Sequence, residues 1–74
     1  MGTFATLLSE VRTEEKLTQK QVADIIGVSR TCYASWEQGT RQPNIEKLHA
    51  LCKTLHVSAD YLLGLENYDG TKNY

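Results

Sequence analysis

The sequence contains a single proline, Pro43, and only two cysteines, Cys32 and Cys52. Two thiols are too few for a disulfide scaffold, so the core must hold without covalent staples. No apolar run approaches the ~20 residues that a membrane span needs. The first residues lack the charged, apolar and small-residue succession of a secretory leader, and a cytoplasmic location is expected. Neither sign of charge dominates, since 8 Lys and Arg stand against 9 Asp and Glu. The formal net of −1 excludes a polybasic or acidic-tail protein but leaves room for a local basic patch. Repeats, low-complexity segments and runs with strand periodicity are absent. So are a nucleophile–base pair, paired carboxylates and a phosphate loop. At 74 residues a conventional enzyme with its own cleft is not expected, nor is a cofactor or a small-molecule substrate.

Helical spacing, by contrast, recurs along the whole chain and predicts an all-α fold with short connections. The first helix spans about Thr3 to Glu15, with Thr3 as N-cap and Phe4, Leu7, Leu8 and Val11 on one face. Leu17 follows as a core plug. Thr18-Gln19-Lys20-Gln21 fits a capping box and opens the second helix, which carries Val22, Ala23 and Ile26 and ends at Gly27. Ser29 caps the third helix, which reaches Gln38 before Gly39. The fourth starts at Asn44 and carries Ile45, Leu48, Leu51, Cys52 and Leu55. The fifth is short, capped by Ser58, with Tyr61 and Leu62 inward and Gly64 as its stop. Residues 1–65 form the domain, and 66–74 read as a flexible C-terminal tail.

The informative stretch is 17–43. A small Ala23 stands four residues before Gly27, which suits two helices crossing steeply over a sharp turn. The third helix divides into two faces. Cys32, Tyr33 and Trp36 make one large apolar side. Arg30, Thr31, Ala34, Ser35 and Gln38 make a small, polar side with an arginine at its N-terminal end. Such a face suits entry into a DNA groove. There an arginine can bond a guanine edge in bidentate fashion, and small side chains allow close approach.

These residues resemble the helix-turn-helix of the Cro and phage-repressor family, also called Xre-like regulators. The resemblance rests on Leu17-Thr18-Gln19, Ala23 with Gly27, Val28-Ser29, Trp36-Glu37 with Gly39, and Arg41 with Pro43. It continues through Ile45, Leu48, Leu51, Leu55, Val57-Ser58, Asp60 and Leu62-Leu63-Gly64 and covers residues 4–65. It implies a five-helix, lambda-repressor-like DNA-binding domain. It also implies a transcriptional regulator that reads a double-stranded operator with the helix at 29–38. Prophage, mobile-element or restriction-control repressors are the type it suggests. Carried over residue by residue, the resemblance gives base contacts to Arg30, Thr31 and Ser35. It gives DNA-backbone contacts to Thr18, Gln19, Ser29, Thr40 and Arg41. Arg12 and Glu37 match a structural salt bridge between the first and third helices. The sequence departs from the family at Lys16 and His56, where glycine is common, at Ile25, where a polar residue is common, and at Ala34, which cannot hydrogen-bond a base.

Charge agrees with this layout. Residues 16–44 carry a net of +2, whereas 1–15 and 60–74 each carry −2. So small a positive charge points to weak binding by one subunit and to a homodimer. Tyr61, Leu63, Leu65 and Tyr68 are the apolar residues expected at its interface. Tyr33 and Trp36 could stack on unpaired bases, but their shared apolar face assigns them to the core. His49, Cys52 and His56 share one helical face and with Cys32 would make a Cys₂His₂ set. Their spacing matches no zinc motif and both cysteines fall on buried faces, so no metal is expected. The competing reading is a protein-interaction module of the same fold, an antitoxin or anti-repressor partner using Ile25 and the Tyr61–Tyr68 end.

Overall fold

The computed structural model describes residues 3–65 and 70–72. Its helices are α1 (Phe4–Glu14), α2 (Gln19–Ile26), α3 (Arg30–Gln38), α4 (Ile45–Leu55) and α5 (Ala59–Leu62). Every helix begins at a hydroxyl or amide cap whose oxygen accepts an otherwise orphaned backbone N–H. Thr3 accepts from Thr6, Thr18 from Gln21, Ser29 from Cys32, Asn44 from Lys47 and Ser58 from Tyr61. At α2 the reciprocal bond is also made, with the Thr18 amide donating to Gln21 Oε1 at 2.8 Å.

The core gathers one face from each helix. Leu8, Val11, Val22, Ala23, Ile26, Tyr33, Trp36, Leu51, Leu55 and Leu62 are all buried. Tyr33 and Trp36 meet edge to face, with ring centroids 5.7 Å apart. α3 packs against both α1 and α2, α4 lies on α2, and α5 closes the gap between α1 and α4. Leu17, Val28 and Leu48 pack at the margin and stay half-buried, because they sit at helix ends or rims and not in the centre.

Ile45 departs from the sequence reading. It belongs to the α4 apolar series by spacing, yet it is 85% exposed. It is the first residue of its helix, and that first turn overhangs the core. Ile45, Pro43, Glu46 and His49 line an open, shallow groove there. Ile25, in contrast, stands out from α2 into solvent at 60% exposure, on the side of the helix turned away from Ala23. The expected tail falls mostly outside the described residues. Within it, Lys72 donates to Asp60 Oδ2 at 2.9 Å, which returns the chain to the first turn of α5.

Among the described residues, two other than glycine occupy left-handed backbone, Lys16 at φ 60° and His56 at φ 55°. They end the first and fourth helical segments, where a side chain crowds its own carbonyl. Lys16→Gly or His56→Gly should therefore stabilise the fold by about 0.5–1 kcal/mol each and raise Tm by several degrees. Calorimetry of the two variants checks this. A drop in Tm for both would show that the side chains contribute more than their backbone strain costs.

Candidate nucleic-acid interface

The turn between α2 and α3 is set by Gly27, at φ 80° and ψ 33°. A Cβ at Gly27 would meet nothing within 4 Å, so it is the left-handed backbone and not lack of space that calls for glycine. Ala23 O accepts from both Gly27 N (2.9 Å) and Val28 N (3.0 Å) and so closes α2. Lys47 reaches across from α4 and donates to Ile26 O at 3.3 Å, placing a cation at the C-terminal end of α2. Nothing in the sequence separates Lys47 from a solvated lysine, and its role was not legible there.

The turn delivers α3 with one face inward and the other to solvent. Tyr33 and Trp36 are buried, while Arg30, Thr31 and Gln38 are exposed and Ala34 and Ser35 half-buried. Arg30 and Arg41 have no ion-pair partner among the described residues, unlike Lys20, which pairs with Asp24 at 2.8 Å. The Ser35 hydroxyl donates to Cys32 O at 2.6 Å, which leaves its lone pairs facing outward. Ser35 O in turn gathers the loop that follows α3. It accepts from the amides of Gly39, Thr40 (3.1 Å) and Arg41 (3.3 Å), and from the Thr40 hydroxyl (3.3 Å). That loop is held by its backbone, so its Arg41 side chain is the group left to act outward. The hydroxyl oxygens of Thr18 and Ser29 accept their cap bonds and keep O–H groups to donate.

Behind this surface lies a polar network centred on Glu37. Arg12 Nε donates to Glu37 Oε2 at 2.6 Å and Arg12 Nη2 to Oε1 at 3.2 Å, a forked pair between α1 and α3. Its Nη1 donates to Leu17 O at 2.7 Å and so fixes the connection that leads into α2. Gln19 Nε2 donates to Oε1 at 3.0 Å, and Tyr33 Oη to Oε2 at 2.5 Å. Burial alone would raise the Glu37 carboxyl, but the hydrogen bonds from Arg12, Tyr33 and Gln19 outweigh it and hold the group below its ordinary value. Burial and the bond to Glu37 push the Tyr33 phenol well above its ordinary value. The hydrogen bond to Glu37 likewise raises Arg12. The Tyr33 hydroxyl was missed in the sequence, although a tyrosine on a buried face with a glutamate four residues later was its signal.

Tyr61 lies in α5, the helix that packs against α1 and α4, Leu63 and Leu65 lie just after it, and Tyr68 lies outside the described residues. Leu63 is 53% exposed, Leu65 is also exposed, and Tyr61 borders a groove with Ser9, Glu10, Thr13 and Glu14. His49, Cys52 and His56 form no metal-binding group among the described residues. No helix there is long and apolar enough to cross a membrane.

The helix-turn-helix family pattern matches residues 8–62. The Bacillus subtilis HTH-type transcriptional regulator YqaE is 40% identical over 60 residues, which cover 81% of this chain and 52% of that protein. The repressor protein C2 of Salmonella phage P22 is 40% identical over 52 residues, covering 70% of this chain and 24% of its own. The chain spans about half the length of the first of these relatives and less of the second. Among solved structures, the P22 c2 repressor in complex with a synthetic operator superposes with a TM-score of 0.81 at 33% identity, over 85% of this chain and 96% of that one. The restriction-modification controller C.AhdI of Aeromonas hydrophila gives 0.75 at 27% identity, over 81% and 91%. With this five-helix architecture, the turn at Gly27 and the match over residues 8–62, the chain belongs to the helix-turn-helix family, in its Cro and phage-repressor (Xre-like) branch.

Proposed function

We propose that the protein is a sequence-specific transcriptional regulator that binds double-stranded DNA in the cytoplasm as a homodimer, a repressor of the prophage, mobile-element or restriction-control type. The observation that carries this reading is the exposed face of α3. It is small and polar, starts with Arg30, which has no ion-pair partner among the described residues, and is backed by a part-buried ion pair and a Gln19 bond that fix it to α1 and α2. Arg30, Thr31 and Ser35 are assigned to base edges in the major groove. With its proton on Cys32 O, Ser35 meets a base as an acceptor. Thr18, Gln19, Ser29 and Arg41 are assigned to phosphates. Thr40 joins them only if its hydroxyl leaves Ser35 O, since a lone pair cannot bond a phosphate oxygen. The operator bound by the P22 c2 repressor supports DNA as the partner. Selection of bound duplexes from random DNA tests the reading. Enrichment of an inverted repeat is expected. Retention of no duplex would overturn it in favour of a protein-interaction module.

The dimer is assigned to Tyr61, Leu63, Leu65 and Tyr68, because the exposed Leu63 and Leu65 leave apolar surface for a second copy to cover. Leu63→Asp should weaken self-association at least tenfold in sedimentation equilibrium, without lowering the melting temperature of the subunit. An unchanged dimer would remove this interface.

A further inference from the structure

The sequence gives Tyr33 a packing role, and its ring fills one through contact with Trp36. Its hydroxyl does something more. All four bonding positions of the Glu37 carboxylate are occupied, two on each oxygen. Oε2 takes Arg12 Nε and Tyr33 Oη, while Oε1 takes Arg12 Nη2 and Gln19 Nε2. A carboxylate turns readily about its last torsion unless both oxygens are held. Arg12 reaches both oxygens from α1, but its bond to Oε1 is long at 3.2 Å. Tyr33, from the same helix as Glu37, adds a second short bond to Oε2 and so narrows the swing that the Arg12 fork leaves to Oε1. Gln19 Nε2 has two hydrogens, and Oε1 takes one of them. The second belongs to the first residue of α2, at the helix end assigned to phosphate.

We propose that Tyr33 is a positioning residue for DNA, whose buried hydroxyl orients the Glu37 carboxylate so that Gln19 presents its free amide hydrogen to a backbone phosphate. This rests on the DNA-binding reading above. The chain of bonds is Tyr33 Oη to Glu37 Oε2, then across the carboxylate from Oε1 to Gln19 Nε2, with each link within 3.0 Å. Tyr33 has no exposed surface and touches DNA only through this chain. Because Gln19 is neutral, its contact releases no counterion of its own, and losing it leaves the salt dependence of binding unchanged.

A double-mutant cycle on a short random-sequence duplex tests the relay, since phosphate contacts do not depend on base sequence. Tyr33→Phe keeps the ring and removes the hydroxyl. It should weaken duplex binding about 3- to 10-fold, the size of one hydrogen bond, at an unchanged salt slope. In a Gln19→Ala background the same change should have no further effect. Equal weakening in both backgrounds overturns the proposal and leaves the DNA reading standing, and so does a Gln19→Ala variant that binds as tightly as the parent. Failure of the parent chain to bind any duplex overturns both. A second measurement works without DNA and bears on the fold of the variant as well. In nuclear magnetic resonance, the Gln19 side-chain amide should move toward free glutamine in Tyr33→Phe while the backbone amides of α1 to α4 stay in place. An unmoved Gln19 amide overturns the relay.

Discussion

Glu37→Ala is expected to destabilise the domain by about 2–3 kcal/mol, somewhat below the cost of leaving one member of a fully buried ion pair alone, because this pair is part-buried. The side chains of Arg12 and Glu37 are only 16% and 6% exposed. Alanine would leave the Arg12 guanidinium with just the Leu17 carbonyl, and would strip the Tyr33 hydroxyl and the Gln19 amide of their acceptor. A 74-residue domain has about 4–11 kcal/mol to lose in total, so this single change removes a large share of it. Asp24→Ala is the control. It breaks the Lys20–Asp24 pair, whose side chains are mostly in water, and should cost no more than about 0.5 kcal/mol. Urea unfolding followed by the fluorescence of Trp36, which is buried in α3, reads both. Equal losses from the two variants would mean that the Glu37 network is no more than a surface pair.

The same carboxylate sets the acid limb of stability. Its pKa is lower in the folded chain than in the unfolded one, because the bonds from its three partners outweigh burial. The stabilisation is complete above the ordinary glutamate value and is lost as pH falls through the lower, folded value. Wild-type stability should therefore decline on acidification below the usual carboxylate range. Glu37→Gln should be less stable at neutral pH, with a flatter acid limb. An unchanged acid limb would place the sensitivity in another carboxylate.

The sequence shows which parts of this molecule are governed locally. Helix ends were legible because capping is a short-range matter, and Thr18 with Gln21, Ser29 and Gly27 each carry their geometry in one or two side chains. The buried side of α3 was legible for a similar reason, since Tyr33 and Trp36 fall three residues apart on one face. Contacts between helices were harder to read. Lys47 reaches Ile26 across 21 positions, and nothing near either residue announces it. Ile45 has the spacing of a core residue, but whether the first turn of α4 overlies the core depends on how the whole helix is placed. Arg12 and Glu37, 25 positions apart, came from the family resemblance and not from any local pattern. The outward groups of α3 are intermediate. Their face is periodic and visible, while the internal bond that turns Ser35 into an acceptor depends on a side-chain torsion that no spacing records.

Base reading provides the sharpest test of the proposed interface, and Arg30 should carry the largest share. It is the first residue of α3, exposed, and without an ion-pair partner among the described residues. No carboxylate among the described residues pairs with its guanidinium, so the planar fork can take the two acceptors of a guanine edge. Arg30→Ala should weaken binding to the selected operator by about 1–3 kcal/mol, or roughly 5- to 150-fold, and relax the choice at one base pair in each half-site. Binding to random duplex should change far less. Arg41 likewise has no ion-pair partner among the described residues, but it sits on a loop whose backbone is tied to Ser35 O, and it is assigned to the sugar–phosphate chain. Arg41→Ala should weaken operator and random duplex alike and reduce the salt slope by about 0.9 for the one phosphate released. Titrations of both variants on both duplexes at two salt concentrations separate the two arginines. If Arg30→Ala lowers the two affinities by the same factor and flattens the salt slope, Arg30 holds a phosphate, and the reading of sequence passes to Thr31 and Ser35.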